Sequence, residues 1–257
     1  MQTARILNKS SKAGATQTCI SCGMGILPVP ILGAKWFILH KAMINRNSLE
    51  NDLNRWHNFI RMSPNDPKGY VQRGMVRFKL AQINESIADF DTAEQLDGRL
   101  TPYLWQRGLS YYYSGRFEAG AKQFEIDLTV NAQDVEETVW RYLCQARLIG
   151  ASDARKQLLV VKNDPRLVMR QVYELFAGSC TPDDVLVAGK KEGKRGNFYS
   201  YLYLGLYYEA QSNAELAKEY IVTASQYRLD DYMWHLACVH QVLRGWDATS
   251  NPPRRSL

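Results

Sequence analysis

The chain has 257 residues, of which 46% are hydrophobic and 23% are charged, as is ordinary for a folded soluble protein. Its five cysteines are too few and too scattered for a disulfide scaffold. The net charge of +6 comes from residues 1–49, which contain six Lys or Arg and no acidic residue. The remainder carries 26 basic and 26 acidic residues, so it has no overall attraction for phosphates. We therefore expect no nucleic-acid partner.

The first 46 residues differ from the rest of the chain. They contain no acidic residue, and prolines interrupt the apolar run at residues 23–34, which makes it a poor transmembrane helix. A targeting peptide, a weak membrane anchor and an inert extension are three interpretations of this stretch. The location is open between an organelle or cell envelope and, if the extension is inert, the cytoplasm. Cys19 and Cys22 lack a second pair to complete a zinc site, so no metal is expected.

Residues 47–246 are predicted to form one helical repeat domain. The first element, residues 48–62, is predicted to be a helix that caps the array, because four apolar residues share one of its faces. These residues are Leu53, Trp56, Phe59 and Met62.

A repeat of 34 residues follows, because Arg73 and Gly74 recur as Arg107 and Gly108. This period in a helical pattern is typical of helix hairpins that bury their apolar faces only by stacking on neighbours. The two glycines are predicted to lie where adjacent helices approach closely. Three repeats are predicted in tandem, at residues 67–100, 101–134 and, in degenerate form, 135–166.

Four prolines in the folded part follow Asp or Thr, which predicts four helix starts. An Asp or Thr side chain caps the free amides of a first turn, and proline at the next position lacks an amide. The four sites are Asp66-Pro67, Thr101-Pro102, Asp164-Pro165 and Thr181-Pro182.

The second half of the domain is less regular. Two helices outside the repeat register are predicted at residues 166–178 and 182–190, followed by a charged loop at 190–196. The repeat pattern returns at residues 198–231. A last helix at residues 231–244, capped by Asp230, is predicted to close the array, and residues 247–257 are predicted to be a disordered tail.

The tandem units resemble the tetratricopeptide repeat family over residues 65–165 and 197–228. The order of two good repeats, a degenerate unit, off-pattern helices and a late repeat is similar to the NlpI-like group. The resemblance implies an all-α solenoid of antiparallel helix hairpins wound into a right-handed superhelix. It also implies a non-enzymatic adaptor that binds proteins or peptides and tends to form a homodimer. Cys22 lacks the sequence context for lipid attachment, so only the adaptor role is carried over.

On the geometry of that family, six side chains of the first two repeats point into the concave groove. They are Val71, Met75, Phe78, Trp105, Leu109 and Tyr112. Stacking does not need apolar side chains there, so we expect a partner protein or peptide to bind them. The tyrosine-rich late repeat, residues 197–228, is the second candidate surface. Arg73 and Arg107 are instead expected to pair with carboxylates within their own repeats.

The sequence offers no catalytic motif, so we expect no enzyme activity, no small-molecule substrate and no cofactor. His235 and His240 are five residues apart and fall on different helix faces, and residues 189–195 lack the spacing of a phosphate-binding loop. Two hypotheses remain. One is a soluble scaffold with a peptide or protein in its groove. The other is an NlpI-like adaptor, targeted to a membrane or organelle, that recruits hydrolases or assembly factors.

Overall fold

A computed structural model describes the backbone of residues 32–246 and the side chains of residues 46–246. Cys19, Cys22, the first part of the apolar run and the predicted tail at 247–257 lie outside the described residues. Backbone contacts divide the chain into residues 1–41 and residues 42–257. The packing described below belongs to the second of these units.

Residues 32–246 form helices and contain no strand, which confirms the all-α prediction. Within this range there are twelve α-helices and one 3₁₀ helix: α1 Leu32–Met62, α2 Pro67–Lys79, α3 Ile83–Leu96, the 3₁₀ helix Gly98–Tyr103, α4 Trp105–Tyr113, α5 Phe117–Asp127, α6 Val135–Ile149, α7 Ala151–Lys156, α8 Leu167–Ala177, α9 Pro182–Lys191, α10 Gly193–Ala210, α11 Ala214–Ser225 and α12 Tyr232–Leu243. Consecutive helices pack against each other, as in an α-helical repeat. None of the described helices is both long and apolar enough to span a bilayer.

The first helix is longer than predicted, because α1 begins at Leu32 and continues across the boundary that was expected after residue 46. Within residues 46–62 its buried positions are Leu49 and Ile60, whereas Met62 is 81% exposed and does not belong to the packed face. Gly69 of α2 lies directly against this helix. A Cβ atom at Gly69 would come within 2.8 Å of Ile60 Cγ1, so α1 packs on the first turn of α2.

The two predicted glycine contacts are confirmed. A Cβ atom at Gly74 would lie 3.2 Å from the ring of Phe90, and one at Gly108 would lie 2.7 Å from Phe124 Cζ. In both hairpins the first helix therefore packs directly on an aromatic ring of the second. At Gly108 any side chain would force the ring to shift, and at Gly74 it would make a tight contact, so glycine suits both positions.

Two of the four predicted helix starts are confirmed. The side chain of Asp66 accepts a hydrogen bond of 2.9 Å from the amide of Lys68, and Pro67 is the first residue of α2. Thr181 forms a reciprocal capping box with Asp184 at the start of α9.

The prediction at Thr101 is wrong, because Pro102 lies inside the 3₁₀ helix and α4 begins only at Trp105. The hydroxyl of Thr101 donates to Glu94 Oε1 at 2.6 Å. This side chain is therefore bound to the preceding helix and does not cap the next one.

The prediction at Asp164 is wrong in the position of the helix start. Its carboxylate accepts a hydrogen bond of 2.9 Å from the amide of Arg166, as a capping side chain would. However, α8 begins at Leu167, so Asp164 and Pro165 lie in the turn that precedes the helix.

The predicted charged loop at residues 190–196 is also wrong, since α9 ends at Lys191 and α10 begins at Gly193. Glycine explains the tight connection. Gly193 has a φ of +69°, which turns the chain within one residue. A Cβ atom at Gly196 would lie 2.5 Å from the carbonyl oxygen of Gly189, so α9 and α10 cross with their backbones in contact.

The predicted cap of the last helix is wrong by one residue, because Asp231 and not Asp230 caps α12.

The arginines of the repeats have carboxylate partners, but not all of these lie where they were expected. Arg73 pairs with Asp89 of its own repeat at 2.6 Å, as predicted. Arg107 pairs with Asp91 and Glu94, which belong to the preceding repeat. The expectation that Arg107 pairs within its own repeat is therefore wrong, and its ion pairs join two repeats.

Candidate binding surface

The six predicted groove residues do not line an open groove. Phe78 and Leu109 are fully buried, and Tyr112 is 2% exposed. Val71, Met75 and Trp105 are partly buried. In this structure Phe78, Leu109 and Tyr112 cannot contact a partner, so the prediction of an accessible groove is wrong for these three residues.

The helix that covers this face is α12, from the end of the same chain. The ring of Tyr232 stacks on Phe78, with centroids 5.5 Å apart, and contacts the edge of Trp105 at 5.3 Å. Leu236 and Ala237, one turn further along α12, are fully buried. The C-terminal helix thus occupies the position that the sequence analysis assigned to a partner.

A signal for this arrangement exists in the sequence. The segment YMWHLACVHQVL of α12 has apolar residues around its whole circumference and no charged residue. A helix that is apolar all round is normally buried on more than one side. Such a helix cannot close an array with one face in water, so it requires a second surface to pack on.

Beneath the end of α12 lies a buried polar cluster around Glu209. The hydroxyl of Tyr112 donates to Glu209 Oε2 at 3.0 Å, and Arg244 Nε donates to Glu209 Oε1 at 2.5 Å. The hydroxyl of Tyr113 lies 2.9 Å from His240 Nδ1. His240 Nε2 is 3.7 Å from Glu209 Oε1, which is beyond hydrogen-bond distance.

The charge state of the cluster follows from its burial. Burial lowers the pKa of His240 to about 4, so the imidazole is neutral at pH 7. Burial alone would raise the pKa of Glu209, but the interaction with His240, the hydrogen bond and charge of Arg244 and the hydrogen bond from Tyr112 hold it below its ordinary value. The cluster therefore contains one ionised carboxylate paired with one guanidinium. His240 is fully buried, so no substrate could reach it.

One side of this cluster opens into a depression of about 340 Å³, which we call the Trp246 depression. It is lined by Arg147, Glu209, Ser212, Ala214, Arg244 and Trp246. These residues come from the end of α6, the α10–α11 hairpin and the residues that follow α12. The ring of Trp246 packs against His240, with centroids 5.2 Å apart.

Arg147 differs from Arg73, Arg107 and Arg244, each of which pairs with a carboxylate. It lies in the last turn of α6, its side chain is exposed, and its guanidinium lies 5.1 Å from the centre of the Phe117 ring. Within residues 46–246 it has no carboxylate partner. The Trp246 depression therefore contains a cation that no anion of the described chain neutralises.

The second predicted surface, on the late repeat, is a packed seam. Tyr208 and Tyr220 stack at 5.4 Å, and Tyr201 contacts Tyr220 at 5.9 Å and Tyr227 at 5.8 Å. These four partly buried rings join α10 to α11 and to the residues that follow α11.

Within the part of the chain that the structure describes, no group of three or more His, Cys, Asp or Glu side chains could hold a metal ion. Comparison with known proteins gives no matching family model and no matching curated protein. The resemblance to tetratricopeptide repeats thus rests on the residues of this sequence alone.

Proposed function

We propose that the protein is a non-enzymatic scaffold, a tetratricopeptide-type solenoid that binds a partner polypeptide at the Trp246 depression. Arrays of helix hairpins present extended surfaces, and in such architectures these surfaces usually bind polypeptides. The observation that carries the proposal is an arginine without a carboxylate partner among residues 46–246, beside a partly exposed indole in a depression of about 340 Å³. Arginine and tryptophan are the residue types that most often dominate protein interfaces.

This proposal moves the binding site away from α2 and α4. The face of these helices is occupied by α12, through the contacts of Tyr232 with Phe78 and Trp105. Replacing α12 by a partner helix would expose Leu236 and Ala237, which are fully buried. Exposure of such side chains costs a large part of the stability of a domain. A partner that adds to the surface is therefore favoured over one that displaces α12.

The targeted adaptor remains the alternative, in which residues 1–46 would decide where the protein acts and not what it binds. In that case the same depression would recruit a hydrolase or an assembly factor to a membrane or organelle. Determining the N-terminus of the mature protein separates the two. A chain that begins near residue 47 supports the adaptor, and an intact leader supports the scaffold with an inert extension.

Site-specific photo-crosslinking tests the proposal in the full-length protein. A benzoyl-phenylalanine is placed at Gln211, an exposed residue next to the lining residue Ser212, and in a control at Arg61, an exposed residue of α1. Irradiation in the native extract, followed by mass spectrometry, should give a defined polypeptide adduct at Gln211 and not at Arg61. Adducts of the chain's own peptides would identify the partner as a second copy. Absence of a polypeptide adduct at Gln211, or equal adducts at both positions, would overturn the proposal.

A further inference from the structure

We infer that the Trp246 depression receives the carboxylate of an Asp or Glu side chain of the partner. This inference rests on the proposed function and specifies the chemistry of the recognised group. It follows from the balance of donors, acceptors and charges that line the depression.

The depression is rich in hydrogen-bond donors and poor in acceptors. Arg147 has five N–H donors and no hydrogen-bond partner within residues 46–246, and Ser212 adds a hydroxyl at the rim. Arg244 donates to Glu209 through Nε, and its two terminal nitrogens carry further N–H donors. The carboxylate of Glu209 is already engaged, by Tyr112 on one oxygen and by Arg244 on the other. A ligand that supplies acceptor oxygens fits this lining, whereas a ligand that supplies donors does not.

The charge of the depression selects a monoanion. Arg147 and Arg244 contribute two positive charges and Glu209 one negative charge, while His240 is neutral because burial lowers its pKa. Among the described residues that line the depression, one positive charge remains uncompensated. A single carboxylate balances it, whereas a phosphate group close to charge −2 would leave a net negative charge in the depression.

The geometry around Arg147 also favours a carboxylate. Its guanidinium carbon lies 5.1 Å from the centre of the Phe117 ring, a contact that favours a fixed position for this side chain. A planar, oriented guanidinium binds the two oxygens of a carboxylate in parallel, at a reduced entropic cost. The indole of Trp246 provides an apolar wall for the methylene groups of a Glu or Asp side chain.

The chain itself contains a competing occupant. Asp247 follows Trp246 directly in the sequence. If its carboxylate takes the place inferred for the partner, the wild-type protein will not bind an added carboxylate, and the Asp247→Asn variant will. That result would overturn the inference of a carboxylate from a partner.

The test uses the full-length protein with ¹⁵N-labelled tryptophan. The indole resonance of Trp246 is assigned with Trp246→Phe, and the protein is titrated with N-acetyl-glutamate amide, with N-acetyl-glutamine amide and with inorganic phosphate. The glutamate probe should shift the Trp246 resonance saturably, with an affinity about tenfold or more above that of the glutamine probe and of phosphate. Equal shifts with the glutamine probe, or tighter binding of phosphate, would contradict the inference.

Arg147→Gln should weaken binding of the glutamate probe by about tenfold, since a charged bidentate donor becomes a neutral amide. Arg61→Gln, at an exposed arginine outside the depression, is the matched control and should bind as the wild type does. Thermal unfolding followed by circular dichroism verifies that both variants fold. Unchanged binding in Arg147→Gln would overturn the inference.

The two proposals fail in different ways. One outcome is that the crosslink at Gln211 forms, while Arg147→Gln binds the glutamate probe as the wild type does and the glutamate and glutamine probes bind equally. In that case the scaffold proposal stands and the inferred recognition of a carboxylate is wrong. If the glutamate probe binds through Arg147 but no polypeptide is crosslinked, the carboxylate site stands and the scaffold is wrong.

Discussion

Arg107 of the second repeat forms a two-point ion pair with Glu94 of the first, with Nη1 at 2.7 Å from Oε2 and Nη2 at 2.9 Å from Oε1. The same guanidinium donates from Nε to Gln123 Oε1 at 2.9 Å, within its own repeat. The side chain of Arg107 is only 6% exposed. One arginine thus connects two neighbouring hairpins through geometrically specific bonds, which favours a single register for the stack.

Glu94→Gln should make the protein less sensitive to acid. The side-chain hydrogen bond from Arg107 lowers the pKa of Glu94 from 4.5 to about 2. The ionised Glu94 therefore contributes fully to the free energy of unfolding above pH 4.5, and this contribution is lost as the pH falls through 2. The variant should be less stable at pH 7 by roughly 1 kcal/mol, because partial exposure screens the pair. It should lose less free energy of unfolding than the wild type between pH 4.5 and pH 2. Urea unfolding at these pH values measures both effects.

The exposed carboxylate Glu118, at the start of α5, provides the control for this experiment. Glu118→Gln should follow the wild-type pH dependence. If Glu94→Gln also follows it, the pair with Arg107 does not contribute to the stability of the stack.

Gly108→Ala should destabilise the protein, because the new methyl group would lie 2.7 Å from Phe124 Cζ, where the two helices of the second hairpin meet. Overpacking of this kind typically costs about 1–3 kcal/mol. Gly98→Ala is a matched control, since nothing lies within 4 Å of a Cβ atom at that position. It should be neutral or slightly stabilising, by about 1 kcal/mol at most. Urea denaturation compares the two, and equal midpoints would contradict the close helix contact.

The features that the sequence predicted well are those encoded locally. The Arg-Gly dipeptides and the aromatic residues 16 positions after each glycine define the two hairpins, and Phe90 and Phe124 do meet Gly74 and Gly108. Asp66 and Thr181 cap helices because their partners lie two or three residues away. Short-range bonds of this kind depend on few other residues, so a single sequence reveals them.

The features that the sequence did not reveal depend on distant residues. The face of Phe78 looked available because no neighbouring repeat covers it, yet Tyr232 of α12 does. Likewise, Arg147 and Trp246 belong to no common motif, and only the fold places both of them at one depression. Arg107 had acidic residues on both sides at similar sequence distances, and only packing decided that Glu94 is its partner.

Phe78→Ala should lower the free energy of unfolding by a large part, and not merely remove a binding contact. The ring is fully buried between Tyr113 and Tyr232, and truncation of such a phenylalanine typically costs about 3–5 kcal/mol. Val160→Ala, at a residue that is 65% exposed, is the control and should change stability by less than about 0.5 kcal/mol. The midpoint of urea unfolding measures both. A nearly neutral Phe78→Ala would mean that α12 does not pack on α2 in solution.

Glu137→Gln should stabilise the protein at alkaline pH. Burial is the largest cause that raises the pKa of Glu137 from 4.5 to about 8, and the negative charges of Asp134 and Asp127 raise it further. The Oε2 atom of Glu137 is buried and has no hydrogen-bond partner among the described residues. The folded state therefore retains a proton that the unfolded state releases, so wild-type stability should fall as the pH rises from 4.5 to 8 and then level off. Glutamine has the same shape but cannot ionise. The variant should match the wild type at pH 5 and exceed it by about 1–2 kcal/mol at pH 9. Urea unfolding from pH 5 to pH 9 measures this divergence, and parallel curves for the two proteins would show that Glu137 is solvated or paired in solution.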